Sequence, residues 1–256
     1  MLIATWNVNS IRARKDRVLS WLDDHKPDVL CLQETKTVDQ NFPVQEFLQA
    51  GYTVALHGQK TYNGVAICSR RPIQTTDTGF DDGITEDQAR LISATVDGIH
   101  FISAYVPNGQ EVGSEKYEFK LAWMARLRSF LDRRFDPQDA IVLCGDFNVA
   151  PEDRDVYDPI GWRGSILCSE AERGALQRIV DWGLVDTLRH HTQEAGLYSW
   201  WDYRQLGFPK NRGLRIDHIY CSAPMISRCA ESRIDRDARK GKQPSDHAPV
   251  LATFND

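Results

Sequence analysis

With 256 residues, 41% of them hydrophobic, the chain can bury a core that stands without a disulfide or a structural metal. Lys and Arg number 31 against 36 Asp and Glu, and the net charge of -5 excludes indiscriminate binding to polyanions, leaving phosphate recognition to local positive clusters. No stretch approaches the roughly 20 apolar residues of a membrane span. The opening Met1-Leu2-Ile3-Ala4 has neither the basic region nor the cleavage site of a secretory leader, so an intracellular protein is expected.

In chain order, Leu2 to Trp6 reads as a strand and Ser10 to Lys26 as a helix stopped by Pro27. Three more strands are expected at Val29 to Leu32, Thr53 to Leu56 and Gly64 to Cys68. Arg90 to Val96 and His100 to Val106 flank Asp97-Gly98, a strong two-residue hairpin signal. Glu115 to Arg134 puts Leu121, Met124, Leu127 and Leu131 on one helical stripe, and Ala140 to Cys144 is a seventh strand. A third helix begins at Ser169, whose hydroxyl can cap it while Glu172 closes a capping box, and stops at Gly183. Ile216 to Cys221 and Val250 to Phe254 complete nine strands, which suit two sheets better than one. No Pro/Gly/Ser-rich linker interrupts the alternation, so residues 1–256 are expected to form a single α/β domain, its sheets packed on each other with helices outside. Cys31, Cys68, Cys144 and Cys221 sit inside apolar runs, and no Cys-x-x-Cys pair offers zinc spacing, so the cysteines read as small buried hydrophobes. Two basic clusters stand out: Arg204, Lys210, Arg212 and Arg215, then Arg236, Arg239, Lys240 and Lys242. Taken singly, each would be a solvated loop.

Oxygen-bearing side chains recur at the strand ends: Asn7-Val8-Asn9, Gln33-Glu34-Thr35-Lys36, Asp146-Phe147-Asn148, Asp217-His218 and Ser245-Asp246-His247. One such cluster is an ordinary turn; five suggest a shared rim. If they meet, Glu34, Asp246, Asn7 and Asn9 form a hard oxygen cage suited to Mg²⁺ or Mn²⁺ and not to zinc. His247 then suits a cationic or proton-transferring role, oriented by a carboxylate such as Asp217. Asp146 would orient and deprotonate a water, Asn148 would hold it by hydrogen bonding, and Tyr105 could donate to a phosphate or leaving oxygen. These are the parts that phosphodiester hydrolysis needs.

Longer segments carry a resemblance. They are Trp6-Asn7-Val8-Asn9, Leu32-Gln33-Glu34-Thr35-Lys36, Tyr62-Asn63-Gly64-Val65-Ala66, Tyr105-Val106-Pro107-Asn108-Gly109 and Gly145-Asp146-Phe147-Asn148. They continue through Tyr198-Ser199-Trp200-Trp201-Asp202-Tyr203-Arg204, Arg212-Gly213-Leu214-Arg215-Ile216-Asp217 and Pro244-Ser245-Asp246-His247-Ala248-Pro249. Over essentially its full length the chain resembles the exonuclease III family of apurinic/apyrimidinic endonucleases, within the endonuclease/exonuclease/phosphatase superfamily. The resemblance implies a four-layer α/β sandwich, two packed mixed β-sheets flanked by helices, with the site where the sheets open. It implies a Mg²⁺-dependent repair phosphodiesterase, Mn²⁺ substituting, monomeric and acting on double-stranded DNA at abasic sites or at blocked or recessed 3′ ends. By motif position it assigns Glu34, Asn7 and Asp246 to the metal and Tyr105, Asp146, Asn148, Asp217 and His247 to catalysis. Lys36 and Asn108 become phosphate contacts, Arg212 a DNA contact, and Trp200 and Leu214 the wall of a pocket for a flipped-out abasic sugar. Read without the resemblance, Trp200 and Trp201 are core packing.

Within the superfamily, lipid phosphodiesterases, inositol phosphatases and nucleases resembling deoxyribonuclease I typically carry a second histidine on the strand reading here Phe101-Ile102-Ser103-Ala104-Tyr105. Tyrosine there favours the DNA-repair branch. A non-catalytic descendant should have lost a ligand, and none is missing. The stretch Tyr157 to Cys168, with Trp162, Arg163, Ile166 and Leu167, departs from the usual small-residue pattern and resembles a branch that trims 3′ ends and incises abasic DNA poorly. If Leu167 fills the space a flipped-out sugar needs, internal incision is suppressed while hydrolysis at a frayed 3′ end survives.

Overall fold

The computed structural model describes residues 1–85 and 87–255. Along the chain run β1 (Leu2–Asn7), α1 (Ile11–His25), β2 (Val29–Gln33), α2 (Val44–Gln49), β3 (Thr53–His57), β4 (Val65–Ser69) and β5 (Ile73–Thr78). There follow β6 (Leu91–Val96), β7 (Ile99–Tyr105), α3 (Glu115–Arg134), β8 (Ile141–Asp146), α4 (Glu170–Val180), β9 (Leu184–Asp186) and α5 (Thr187–His191). The last elements are β10 (Asp217–Ser222), α6 (Ala223–Ile226), β11 (Cys229–Ile234) and β12 (Val250–Phe254). They form two six-stranded sheets, ordered β11-β12-β1-β2-β4-β3 and β5-β6-β7-β8-β10-β9.

The four layers follow from alternation along the central strands. Ile3, Cys31 and Ile67 of one sheet meet Phe101, Val142 and Cys144 of the other in a shared inner core. Their neighbours Ala4, Leu30 and Leu32 face the opposite way, onto Val18 and Leu22 of α1 and Phe47 of α2. Ile102 and Leu143 do the same on the far side, beneath Trp123, Leu127 and Leu131 of α3 and Leu176 and Ile179 of α4. Strands apolar on both faces, such as β2 and β4, are buried at every residue. All six cysteines are free and buried, as the apolar runs around four of them implied.

The nine expected strands are present within a residue or two of their expected ends. The three not expected, β5, β9 and β11, all lie at sheet edges. Beyond Ile73 every residue of β5 is exposed, β9 has three residues, and β11 is interrupted by a bulge between Cys229 and Glu231. An edge strand packs against one neighbour and needs little apolar alternation, so its sequence signal is weak. The helix α4 ends at Val180, before the expected Gly183, because the chain leaves the helix through Asp181 and two further turn bonds. The Asp97-Gly98 hairpin forms as expected, with φ of 49° and 75°, both in the left-handed region that a type I′ turn requires.

Candidate active site

Strand direction gathers the oxygen-bearing ends on one rim. Parallel pairing places Asn7 beside Gln33, just before Glu34, and Tyr105 beside Asp146. Antiparallel pairing sets Asp217, the first residue of β10, opposite Asp146 and brings the start of β12, just after His247, to the end of β1. At Gly145 a Cβ would lie 1.9 Å from the Ala104 carbonyl oxygen, so only glycine lets β8 approach β7 this closely before Asp146.

Side-chain bonds join these ends into one network. The Asn7 amide donates to Glu34 Oε1 at 2.8 Å and to Asp146 Oδ2 at 2.9 Å, tying the two carboxylates together. Lys36 Nζ reaches Glu34 Oε2 at 2.7 Å and Asn9 Oδ1 at 2.6 Å. Asp246 accepts from Asn9 Nδ2 at 2.9 Å and from the Trp200 indole at 3.1 Å. His247 Nδ1 lies 2.9 and 3.1 Å from the two Asp217 oxygens, and its Nε2 lies 3.8 Å from Asp146 Oδ2. The Asn148 backbone donates to Asp146 Oδ1 at 2.9 Å, its side chain donates to the Val106 carbonyl at 2.9 Å, and Asn108 Nδ2 donates to Asn148 Oδ1 at 3.1 Å. The Arg90 guanidinium covers the Tyr105 ring at 4.6 Å.

Burial separates the protonation behaviour of these groups. Burial pushes the Asp146 carboxyl up, and although the His247 charge and the Asn7 bond oppose it, the Asp217 and Glu34 charges help raise it to about 7. Burial disfavours the His247 cation, but the Asp217 and Asp146 carboxylates outweigh it and lift the imidazole to about 10. Glu34 pays the same burial penalty, yet the Lys36 charge and the Asn7 amide hold its carboxyl below the ordinary value. For Asp246, the nearby His247 charge and the Asn9 and Trp200 bonds likewise overcome burial and lower it. Burial, with the Glu34 and Asp146 charges, drives the Tyr105 phenol well above its usual range, so it remains a proton donor.

Glu34, Asp146 and His247 each present a ligand atom, all within 4.8 Å of one another. Two carboxylates tied by one amide, one of them raised by burial, are a donor set that a hard divalent cation would relieve. Asp246 lies outside that group, with both oxygens engaged by Asn9 and Trp200. Alongside, Trp200 and Leu214 line a groove of about 270 Å³ with Tyr157, Trp162, Arg204 and Arg212. Leu214 is fully buried and its backbone exchanges hydrogen bonds with that of Trp200. Trp201 is core, as the reading without the resemblance had both tryptophans; Trp200 instead reaches the site.

The basic clusters divide between surface and interior. Arg215 is buried and paired with Asp155 and Asp186, and Arg239 is buried against the carbonyls of Ser245 and Trp201, so neither is a solvated loop charge. Two serines carry structural bonds that residue type alone does not reveal. Ser199 Oγ accepts from the backbone of both Ile216 and Asp217 at 3.0 Å. Ser245 Oγ donates to the Asn7 carbonyl at 2.7 Å and accepts from His247 N at 3.2 Å. Both lie inside the segments quoted for the resemblance, which was the one signal that could have found them.

The Endonuclease/Exonuclease/phosphatase family pattern matches residues 4–247. The chain belongs to this family. Exodeoxyribonuclease III of Haemophilus influenzae is 35% identical to it over 268 residues, covering 99% of this chain and 100% of the relative. A solved Neisseria 3′ phosphatase, NExo, bound to product DNA hairpin, is 42% identical with a TM-score of 0.96, and an AP endonuclease from Archaeoglobus fulgidus is 38% identical with a TM-score of 0.94. Each covers 100% of both chains. Within the Endonuclease/Exonuclease/phosphatase family the chain falls in the exonuclease III group, an enzyme of the nuclease class with the two-sheet sandwich of its structural neighbours. Nucleases of this family depend on a divalent metal, for which the acidic cluster at Glu34 and Asp146 is the candidate holder.

Proposed function

We propose that this protein is a Mg²⁺-dependent DNA-repair nuclease that cleans and trims 3′ ends, with incision at internal abasic sites its weaker activity. The observation that carries the chemistry is Asp146, buried and raised to about 7, between the Asn7-Glu34 pair and the Asp217-His247 pair. A carboxylate poised there can take a proton from an attacking water near neutral pH. The His247 cation, held by Asp217, sets positive charge toward the phosphate, and protonated Tyr105 can donate to a phosphate or leaving oxygen. Asn148, braced by Val106 and Asn108, orients the water, while Lys36 and Asn108 contact phosphate. A divalent ion would be held by Glu34, with Asn7 and Asp246 as the further expected oxygen donors, and would supply charge that neutralises the non-bridging phosphate oxygens.

The preference for 3′ ends rests on Leu167. It is 4% exposed and packs in one cluster with Leu214, Val156, Trp162 and Trp200, of which Leu214, Trp162 and Trp200 line the groove, so its bulk backs the wall against which an extruded sugar would have to fit. The 42% identity to a 3′ phosphatase supports this reading, and the 38% identity to an AP endonuclease keeps abasic incision in view as the competing one.

The deciding assay offers duplexes with an internal abasic analogue, a 3′-phosphate or a plain recessed 3′ end, with Mg²⁺ and with chelator. The 3′ substrates should turn over at least about tenfold faster than the abasic one, and only with the ion. Leu167→Gly, which suits the local φ of 70°, should raise abasic incision. Efficient abasic incision by the unaltered protein would refute the preference. Activity on lipid or inositol phosphates with none on DNA would refute the assignment.

A further inference from the structure

Lys120 lies in α3 beneath the site and is completely buried, as is its partner Glu172 in α4. The ammonium has three protons and meets three acceptors: the carbonyl oxygen of Asn148 at 2.7 Å, that of Asn108 at 3.1 Å, and Glu172 Oε1. Glu172 is equally committed, accepting from Leu167 N at 3.0 Å through Oε1, and from Ser169 N at 3.1 Å and Ser169 Oγ at 2.6 Å through Oε2. A capping box uses only the second of these oxygens. The Lys120 stem also passes under Gly109, where a Cβ would come within 3.0 Å of Lys120 Cδ and 2.9 Å of Ile166.

A buried ion pair is a poor means of packing two helices, since apolar side chains of similar volume serve as well or better. No apolar side chain, however, can bond the carbonyls of Asn108 and Asn148, and that of Asn148 would otherwise be buried without a partner. Asn148 holds a left-handed backbone with φ of 50°, and its side chain bonds that of Asn108 across the site. From this we infer that the Lys120–Glu172 pair is a positioning device that aims the Asn108 and Asn148 amides at the reacting phosphate and ties them to the Leu167 segment. The inference rests on the phosphodiesterase reading above. Neither residue touches substrate; both act through the two asparagines.

The test is Lys120→Met/Glu172→Gln, which strands no buried charge and keeps a capping side chain. On a 3′-phosphate duplex kcat should fall about 10- to 100-fold, as misplaced groups do, while KM changes less than about threefold. In an Asn108→Ala/Asn148→Ala background the same double replacement should change kcat little, because both side chains it positions are gone. A folded double variant with undiminished kcat, or an equal loss with and without the two asparagine side chains, overturns the proposal. If that variant does not fold, Lys120→Gln/Glu172→Gln, which also strands no buried charge and whose amide at position 120 is too short to hold both carbonyls, gives a readout needing no substrate. The side-chain amide NMR signals of Asn108 and Asn148 should shift, and unshifted signals overturn the proposal. An unaltered protein inactive on every DNA end would sink the phosphodiesterase reading instead, leaving the amide signals to judge the pair.

Discussion

Asp217 acts on His247 by meeting its Nδ1 with both carboxylate oxygens, and most of what distinguishes this histidine from an ordinary one comes from that carboxylate and from Asp146, which together lift it to about 10 against burial. Removing an anion lowers a neighbouring histidine's pKa. In the metal-free protein the His247 ring should therefore stay protonated across about pH 6 to 8, and Asp217→Asn should bring its titration into that window. An NMR titration that leaves His247 protonated in the variant would show that Asp146 alone suffices. Asp146→Asn removes the proton acceptor while preserving size, so turnover should fall by at least about 10²-fold. DNA binding should stay near normal; a parallel loss of affinity would make Asp146 a structural residue. At this scale the sequence was most legible, since Glu34, Asp146, Asp217 and His247 each lie at or within three residues of a strand end beside polar neighbours. It was least legible for Lys120 and Ser245, whose roles reside in backbone carbonyls contributed by distant segments.

Among the elements, two glycines with positive φ separate local from tertiary constraint. Gly98 closes the β6-β7 hairpin with φ 75° and open space around a would-be Cβ, so Gly98→Ala pays only backbone strain, about 1 kcal/mol. Gly145 has φ 145° and faces the Ala104 carbonyl, so Gly145→Ala must push β8 off β7, with a loss of about 3 kcal/mol and displacement of Asp146. Urea unfolding of both variants checks the contrast; equal losses would mean the sheet yields easily at Gly145. The same division explains which strands were foreseen. Hairpin chemistry and central apolar runs are written locally, whereas β5, β9 and β11 form because a neighbouring edge offers unpaired backbone groups.

Across the whole molecule, one buried charge network joins segments far apart in the chain. Arg215 bonds Asp155, Asp186 and His218 Nδ1, while His218 Nε2 donates to the Val149 carbonyl at 3.0 Å, fixing the neutral ring's tautomer. Burial, aided by the Arg215 charge, lowers His218 from 6.5 to about 4. The unfolded chain thus binds a proton below pH 6.5 that the folded chain refuses until about pH 4. Stability from this group is complete above the first value and lost as pH falls toward the second, about 3 kcal/mol in all. Unfolding free energies measured across that range should show the decline, and His218→Gln should flatten it; an unchanged slope would assign the loss to other groups.

By itself the sequence determined the two-sheet α/β class, the hairpin, the limits of α1 and α3 with the capped start of α4, and the residue types of a phosphate-hydrolysing site, because periodicity, turn chemistry and capping act within a few residues; the short helices α2, α5 and α6 left no such local signal. Only the tertiary structure decided that Asp146 joins Glu34 and His247 while Asp246 is engaged by Asn9 and Trp200, that Arg215 and Arg239 are interior, and that Lys120 underlies the asparagines. Burial and long-range pairing set those outcomes, and both depend on which distant strands come to share a rim.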